Sequence, residues 1–247
     1  MTVTWEDLGW ERVAAGVGRV RLPGWDCTAG LVVGAGAVLM IDAGSSLAEG
    51  ARLRGEAEEL TGCRVTHLAL THPHFDHVFG AAAFAGAEVF GAVGVDTVRA
   101  EELRADAVRN GLDETAATEA TDTLVRPRHL VSGEWTLDLG GGRQVLLANV
   151  GPGHTAHDLV VLVPGTPGGP GVPGTPETVF CGDLVEESGE PQAGPDAVPS
   201  HWPAALDRLL ALGGEDALYV PGHGAVVDAA FVRAQRDALS ARFGVSP

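Results

Sequence analysis

T-H-P-H-F-D-H-V-F-G, residues 71–80, begins on the last residue of the short apolar run H-L-A-L-T, 67–71. His72, His74, Asp76 and His77 place three of the nine histidines of the chain beside a carboxylate. In an extended segment His72 and His74 point to the same side. Asp76 and His77 follow where the chain begins to turn into a helix. Burying three imidazoles and a carboxylate together costs several kcal/mol of lost hydration unless a cation joins them. A divalent metal ion removes that cost, because it takes imidazole nitrogen and carboxylate oxygen directly. Pro73 stiffens the backbone and lowers the entropy lost on ordering the ligands.

Further donors lie downstream. G-P-G-H-T-A-H-D (151–158) carries His154 in a Gly-rich turn after an apolar run, F-C-G-D-L (180–184) carries Asp183, and V-P-G-H-G (220–224) carries His223. Each sits at the C-terminal end of an expected strand, beside glycines that allow close backbone approach. Seven candidates at strand ends suit two metal ions better than one. Of the remaining histidines, His67 and His129 read as structural or surface residues, and His157 as a pocket-lining neighbour of Asp158. His201 lies in the loop before a helix. Trp202 reads as core.

The flanking pattern is mixed. G-L-V-V-G (30–34) and A-V-L-M-I-D-A-G (37–44) read as a hairpin-like strand pair across Gly34-Ala35-Gly36, with Asp42 ending the second. Helices are expected over 46–61, 78–84, 94–120, 203–212 and 228–243. Strands are expected over 67–71, 88–92, 129–131, 135–139, 144–150, 158–163, 178–184 and 218–220. Strands alternate with helices in both halves, which predicts an α/β or mixed α+β class. P-G-T-P-G-G-P-G-V-P-G-T-P (164–176) repeats proline every third residue. Four such triplets cannot specify a triple helix, and a polyproline-II-like loop between two strands is expected.

Composition narrows the partners. The 247 residues carry a net charge of −17, with 16 arginines and no lysine. An acidic surface repels phosphate backbones, so nucleic acid is not an expected partner. No apolar stretch is long enough to span a membrane, and the N-terminus lacks a basic segment followed by an apolar run. A cytoplasmic protein is expected. Cys27, Cys63 and Cys181 are far apart and form no C-x-x-C pair, so neither a disulfide framework nor a cysteine-rich zinc finger is expected.

Taken in order, the strand ending at Asp42, T-H-P-H-F-D-H, the G-H-T turn, the G-D strand end and the P-G-H-G turn resemble the metallo-β-lactamase-fold hydrolase superfamily. The segments 151–161 and 181–191 look most like actinobacterial members. The resemblance spans nearly the whole chain and implies one domain, 1–247, with a four-layer αββα sandwich and metals at one sheet edge. It implies that His72, His74 and His154 hold a first metal and Asp76, His77 and His223 a second, with Asp183 bridging them. It places Asp42 as a residue that steadies the site, whereas its local sequence also suits a cap at Gly44-Ser45. Two Zn²⁺ are implied, although the donor set also accepts iron or manganese.

Several branches of the superfamily fit less well. The flavodiiron branch carries a glutamate in place of His74. The main secreted zinc β-lactamases carry a cysteine in place of Asp183. Glyoxalase II-type thioesterases bind glutathione through basic residues in an added C-terminal region, and only 24 residues follow His223 here. The resemblance therefore implies a dinuclear hydrolase acting on a small molecule. A bridging hydroxide would attack an ester, thioester, lactone or amide carbonyl, with Asp76 accepting or relaying a proton. The alternatives are a mononuclear iron persulfide dioxygenase and a non-catalytic metal-binding protein. The loops around 20–27 and 185–202 are expected to shape the pocket, and oligomeric state is not legible.

Overall fold

The computed structural model describes residues 3–166 and 174–245. A first sheet holds β1 (Glu11–Ala14), β2 (Val17–Arg21), β3 (Thr28–Val33), β4 (Val38–Ile41), β5 (His67–Ala69), β6 (Glu88–Ala92) and β7 (His129–Val131) in that spatial order. Pairing is antiparallel from β1 to β4 and parallel from β4 to β7. A second sheet holds β8 (Glu134–Asp138), β9 (Gln144–Asn149), β10 (Leu159–Val163), β11 (Thr178–Glu186) and β12 (Leu218–His223). Its spatial order is β12-β11-β10-β9-β8. Only the β11–β12 pair is parallel there.

Side-chain alternation assembles the layers. Leu39 and Ile41 of β4 and Ala69 of β5 face inward and meet Leu147, Val161 and Phe180 of the second sheet. Met40 and Leu68, one residue out of phase, face outward onto Leu53 and Ala57 of α1 (Leu47–Thr61). On the far side, Val160, Val179 and Cys181 pack on α5 (Trp202–Gly213) and α6 (Ala229–Phe243). The order helix, sheet, sheet, helix is the expected αββα sandwich. Gly50 of α1 and Gly80 touch backbone to backbone, and a β-carbon on either would strike the other's main chain. That contact brings the start of α1 against the segment that follows the histidine motif.

Two expected helices are corrected. The span 94–120 is broken into a short 3-10 turn, Val95–Thr97, then α3 (Ala100–Arg109) and α4 (Glu114–Asp122). Gly111 takes φ 97°, and Asp113 caps α4 by accepting from the backbone N–H groups of Thr115 and Ala116. A left-handed glycine followed by an N-cap ends one helix and starts another. Alanine-rich composition hid this boundary. The helix expected at 78–84 begins earlier, as α2 (Phe75–Val78) continued by a 3-10 turn to Phe84. The hairpin expected across Gly34-Ala35-Gly36 pairs Val33 with Val38. The central triplets of the 164–176 repeat lie outside the described residues. At its edges the Thr175 N–H donates to the Thr166 carbonyl (2.9 Å). Among the described residues, no helix is long and apolar enough to cross a membrane.

Candidate metal centre

The motif leaves β5 at its C-terminal end, and the other candidate donors arrive at the matching edge of the second sheet. His154 lies in the turn between β9 and β10, Asp183 just past the middle of β11, and His223 at the end of β12. The structure brings all seven together. One donor atom each from His72, His74, His154 and Asp183 forms a group with every pair within 4.8 Å, and Asp76, His77 and His223 form a second such group.

Asp183 sits between the groups. Its Oδ2 lies 3.6 Å from His72 Nε2, 3.5 Å from His154 Nε2 and 3.3 Å from His223 Nε2. Its Oδ1 lies 3.2 Å from His77 Nε2. Asp76 Oδ2 is 3.6 Å from His77 Nε2 and 3.4 Å from His223 Nε2. Most of these separations exceed ordinary hydrogen-bond lengths. They match the roughly 3.3 Å expected between ligands placed ~2.0 Å from one tetrahedral ion.

The opposite ring nitrogens are anchored. His77 Nδ1 donates to Asp42 Oδ2 (2.8 Å). The same carboxylate accepts from the Thr71 N–H and the Thr71 hydroxyl, both at 2.8 Å. Because that hydroxyl gives its hydrogen to Asp42, it accepts from His72 Nδ1 (3.0 Å). His154 Nδ1 donates to the Gln192 carbonyl (3.1 Å), and His223 Nδ1 to the Trp25 carbonyl (2.7 Å). His74 is turned the other way round, with Nε2 on Asp196 (3.0 Å) and Nδ1 facing His154 Nε2 (3.0 Å). Each bond holds one ring nitrogen as donor and leaves the other free to face the centre. Asp42 does not cap α1. Ser46 does, accepting from the Glu49 N–H, while Glu49 accepts from Ser45. The positive φ of Asp42, 59°, turns its carboxylate back towards the motif.

The two groups differ in charge, except that His74 of the first is raised, burial being outweighed by Asp196. Burial, and then the charge of His77, holds His72 well below the ordinary imidazole range. Burial lowers His154 to about 4, with Asp183 opposing in part. In the second group burial acts against charge, but Asp183, Asp76 and Asp42 together hold His77 well above the ordinary range. Asp183 and Asp76 likewise outweigh burial and carry His223 up to about 12. For Asp183, burial favours the neutral acid, but the charges on His223, His77 and His72 carry the carboxyl well below its ordinary range. In the chain alone, imidazolium protons supply the positive charge that these carboxylates require.

The other histidines and Trp202 stand outside the donor set. Trp202 is buried, and its indole N–H donates to the Leu184 carbonyl (3.0 Å). His157 Nδ1 donates to the Val93 carbonyl (2.9 Å). His67 and His129 both stack on Phe90. Cys181 packs in the outer core, away from the centre, and the buried Cys27 thiol donates to the Asp76 carbonyl (3.1 Å). Sequence reading missed Thr71, Gln192 and Asp196 as anchors. Thr71 stands next to the motif. Gln192 and Asp196 carry no local signal, because Asp196 meets His74 across 122 residues.

Gly222 explains the close fit around Asp183, since a β-carbon there would collide with Asp183 Oδ1. Gly222→Ala is therefore expected to displace the Asp183 carboxylate and lower any metal-dependent turnover by about 10²-fold or more, the usual effect of a ~1 Å misplacement. Steady-state kinetics and metal content of the variant check this. Asp158 accepts from the Thr155 N–H (3.0 Å) and hydroxyl (2.7 Å), yet burial raises its carboxyl to about 7. The folded chain then keeps a proton that the unfolded chain loses near pH ~4, so this residue weakens folding as pH rises from about 4 to about 7. In the metal-free chain, Asp158→Asn is expected to flatten the fall in denaturation midpoint between about pH 4 and about pH 7. A slope identical to that of the parent contradicts it.

A cavity of about 920 Å³ opens over the centre. Its walls include Trp25, the 188–196 segment and, unexpectedly from sequence, the length of α3. Comparison of the sequence with curated proteins gives no match. Among solved structures, a metallo-β-lactamase from Pontibacter korlensis aligns with a TM-score of 0.70 at 19% identity, covering 94% of this chain and 98% of that one. TMB-1, described with its substrate and inhibitor binding, aligns with a TM-score of 0.68 at 20% identity, covering 95% and 97%. At that identity the likeness speaks to the fold. The family profile described as the metallo-beta-lactamase superfamily matches residues 22–223, and with the layer order and donor order above the chain belongs to that superfamily.

Proposed function

We propose that this chain is a dinuclear zinc-dependent hydrolase of esters, thioesters, lactones or amides. The observation that carries the reading is a set of three buried atoms, His72 Nε2, His77 Nε2 and Asp183 Oδ1, that make no well-aligned hydrogen bond among the described residues, although the last two lie 3.2 Å apart. They come from both groups and meet at Asp183, which lines the cavity. An unpaired buried polar atom costs about 1–3 kcal/mol, and three together at one point are what a metal centre requires. The donors fit zinc: imidazoles and carboxylates with anchored second nitrogens and an open side towards the cavity.

His72, His74 and His154 would hold the first ion, and Asp76, His77 and His223 the second, with Asp183 shared. The two ions, when bound, lower the pKa of a shared water from ~15.7 towards ~7 and so provide hydroxide near neutral pH for attack on a carbonyl. Asp42 and Thr71 hold His77 and His72 in the tautomers that direct Nε2 inward. Asp76 lines the cavity and would accept or pass a proton as the leaving group departs. The 188–196 segment and α3 confine the substrate above these residues.

The test combines metal analysis with a panel of generic ester, thioester, lactone and β-lactam substrates. Two zinc ions per chain are expected, with turnover lost on chelation and restored by zinc. One iron per chain with oxygen-dependent turnover identifies a persulfide dioxygenase-like enzyme instead. Full metal loading with no turnover of any class favours a non-catalytic metal-binding protein.

A further inference from the structure

The 188–196 segment walls the cavity, yet it has no core of its own. Residues 187–190 and 192–196 are exposed, and none from 187 to 198 joins an apolar cluster. Backbone bonds pin its two ends. The Glu187 N–H donates to the His223 carbonyl (3.1 Å) and the Val198 N–H to the Gly153 carbonyl (2.9 Å). Between Gly189 and Ala197, among the described residues, hydrogen bonds and ion pairs leave the segment for three side chains only. The Gln192 carbonyl accepts from His154 Nδ1 (3.1 Å), and Asp196 Oδ2 accepts from His74 Nε2 (3.0 Å). Arg242 donates to the Pro191 carbonyl (2.8 Å) and meets Glu190 (3.1 Å).

Two of those three side chains are donors of the first group. Each ring therefore faces the centre with one nitrogen and holds the wall with the other. On the inner side, His74 Nδ1 and His154 Nε2 stand 3.0 Å apart. A segment without buried apolar contacts opens at a small free-energy cost, and its closure depends on how firmly its few anchors are held. A ring that rotates is a poor anchor and a poor ligand alike. An ion held by both inner nitrogens fixes both rings, so the segment then closes onto anchors already ordered. Linkage makes the effect mutual: a closed segment presents the rings as the ion needs them and raises its affinity by the same factor. The second group lacks this arrangement, because the His77 ring is held by Asp42 and the His223 ring by the Trp25 carbonyl, neither of them in the segment.

We propose that residues 188–198 form a strap whose closure over the cavity is linked to metal binding by the first group, with Asp196 as the positioning residue that joins the two. The proposal rests on the metal-binding part of the hydrolase reading and is independent of turnover.

Hydrogen exchange read by mass spectrometry on the full chain, with zinc and after chelation, tests it. Zinc is expected to slow exchange within 188–198 at least about fivefold. It is expected to leave α3 unchanged, since α3 walls the same cavity without bonding a donor. Equal slowing of both segments, or of neither, overturns the proposal. The Asp196 side chain is 48% exposed, so its replacement does not threaten the fold. Asp196→Ala is expected to abolish the slowing and to weaken one zinc-binding step about 10–100-fold, and Asp196→Asn, which keeps an acceptor oxygen, to retain part of both. Arg242→Gln is the discriminating variant, because Arg242 holds the strap and touches no donor. Linkage requires that it also lower zinc affinity, by about fivefold. Zinc affinity equal to that of the parent in Arg242→Gln confines Asp196 to a local effect on His74 and overturns the proposal. Slowed exchange in a chain that turns over no substrate overturns the hydrolase reading and keeps the strap. Turnover by a chain whose strap exchanges equally with and without zinc overturns only the strap. A chain that binds no zinc overturns both.

Discussion

Replacing His72 and His74 together by alanine is expected to lower kcat/KM for every substrate the chain turns over by at least ~10³-fold, about 4 kcal/mol of transition-state stabilisation. Two of the four donors of the first group vanish, and the carbonyl loses the charge that would polarise it. The fold itself is not expected to fail. His72 contributes a buried nitrogen without a partner, so its removal relieves a polar cost even as it opens a cavity. The two effects oppose, and the denaturation midpoint of the metal-free variant should stay within a few degrees of the parent. Any stabilisation that zinc adds to the parent should disappear, because only binding to the folded state raises the midpoint. Unchanged turnover in a folded double variant rejects the metal-dependent mechanism.

Asp42→Ala is expected to have the largest effect on stability. The substitution strips the acceptor from the Thr71 N–H, the Thr71 hydroxyl and His77 Nδ1, all of them buried. It also forces alanine to φ 59°, in the left-handed region. Orphaned donors cost about 1–3 kcal/mol each, and alanine tolerates the left-handed region less well than the aspartate it replaces. Since such terms overlap, a net loss of about 3–5 kcal/mol is expected. The His77 ring is then free to choose the wrong tautomer, and affinity for any metal that His77 holds should fall about 10–100-fold. Asp42→Asn separates the two effects, because asparagine tolerates positive φ and keeps one acceptor oxygen. It should recover much of the stability and less of the metal affinity. Denaturant midpoints and zinc titrations measure both. A midpoint equal to that of the parent in Asp42→Ala shows that the three bonds contribute nothing.

Much of the fold was legible because its cause is local. The alternation that sends Leu39 and Ile41 one way and Met40 the other is written in consecutive residues. The helix expected at 46–61 matches α1 because Ser46 and Gly62 mark its ends. The span 94–120 failed for the converse reason. Its break depends on a left-handed backbone at Gly111, and a single glycine among alanines does not announce its φ. Asp42 was ambiguous for a similar reason. Its short range suits a cap, and only the return of β5 beside β4 brings Thr71 and His77 to its carboxylate.

The order of the donor residues and the sheet-and-helix alternation belong to the sequence alone, because metal chemistry demands particular side chains and strands demand a period of two. The tertiary structure decided what surrounds those donors. It set His74 on Asp196, His154 on the Gln192 carbonyl and His223 on the Trp25 carbonyl, and it laid α3 and the 188–196 segment along the cavity. These contacts join segments far apart in the chain, and their geometry follows from how two sheets and their helices pack. No motif encodes it, so the chemistry of the floor was readable from the residues while the anchoring of the walls was not.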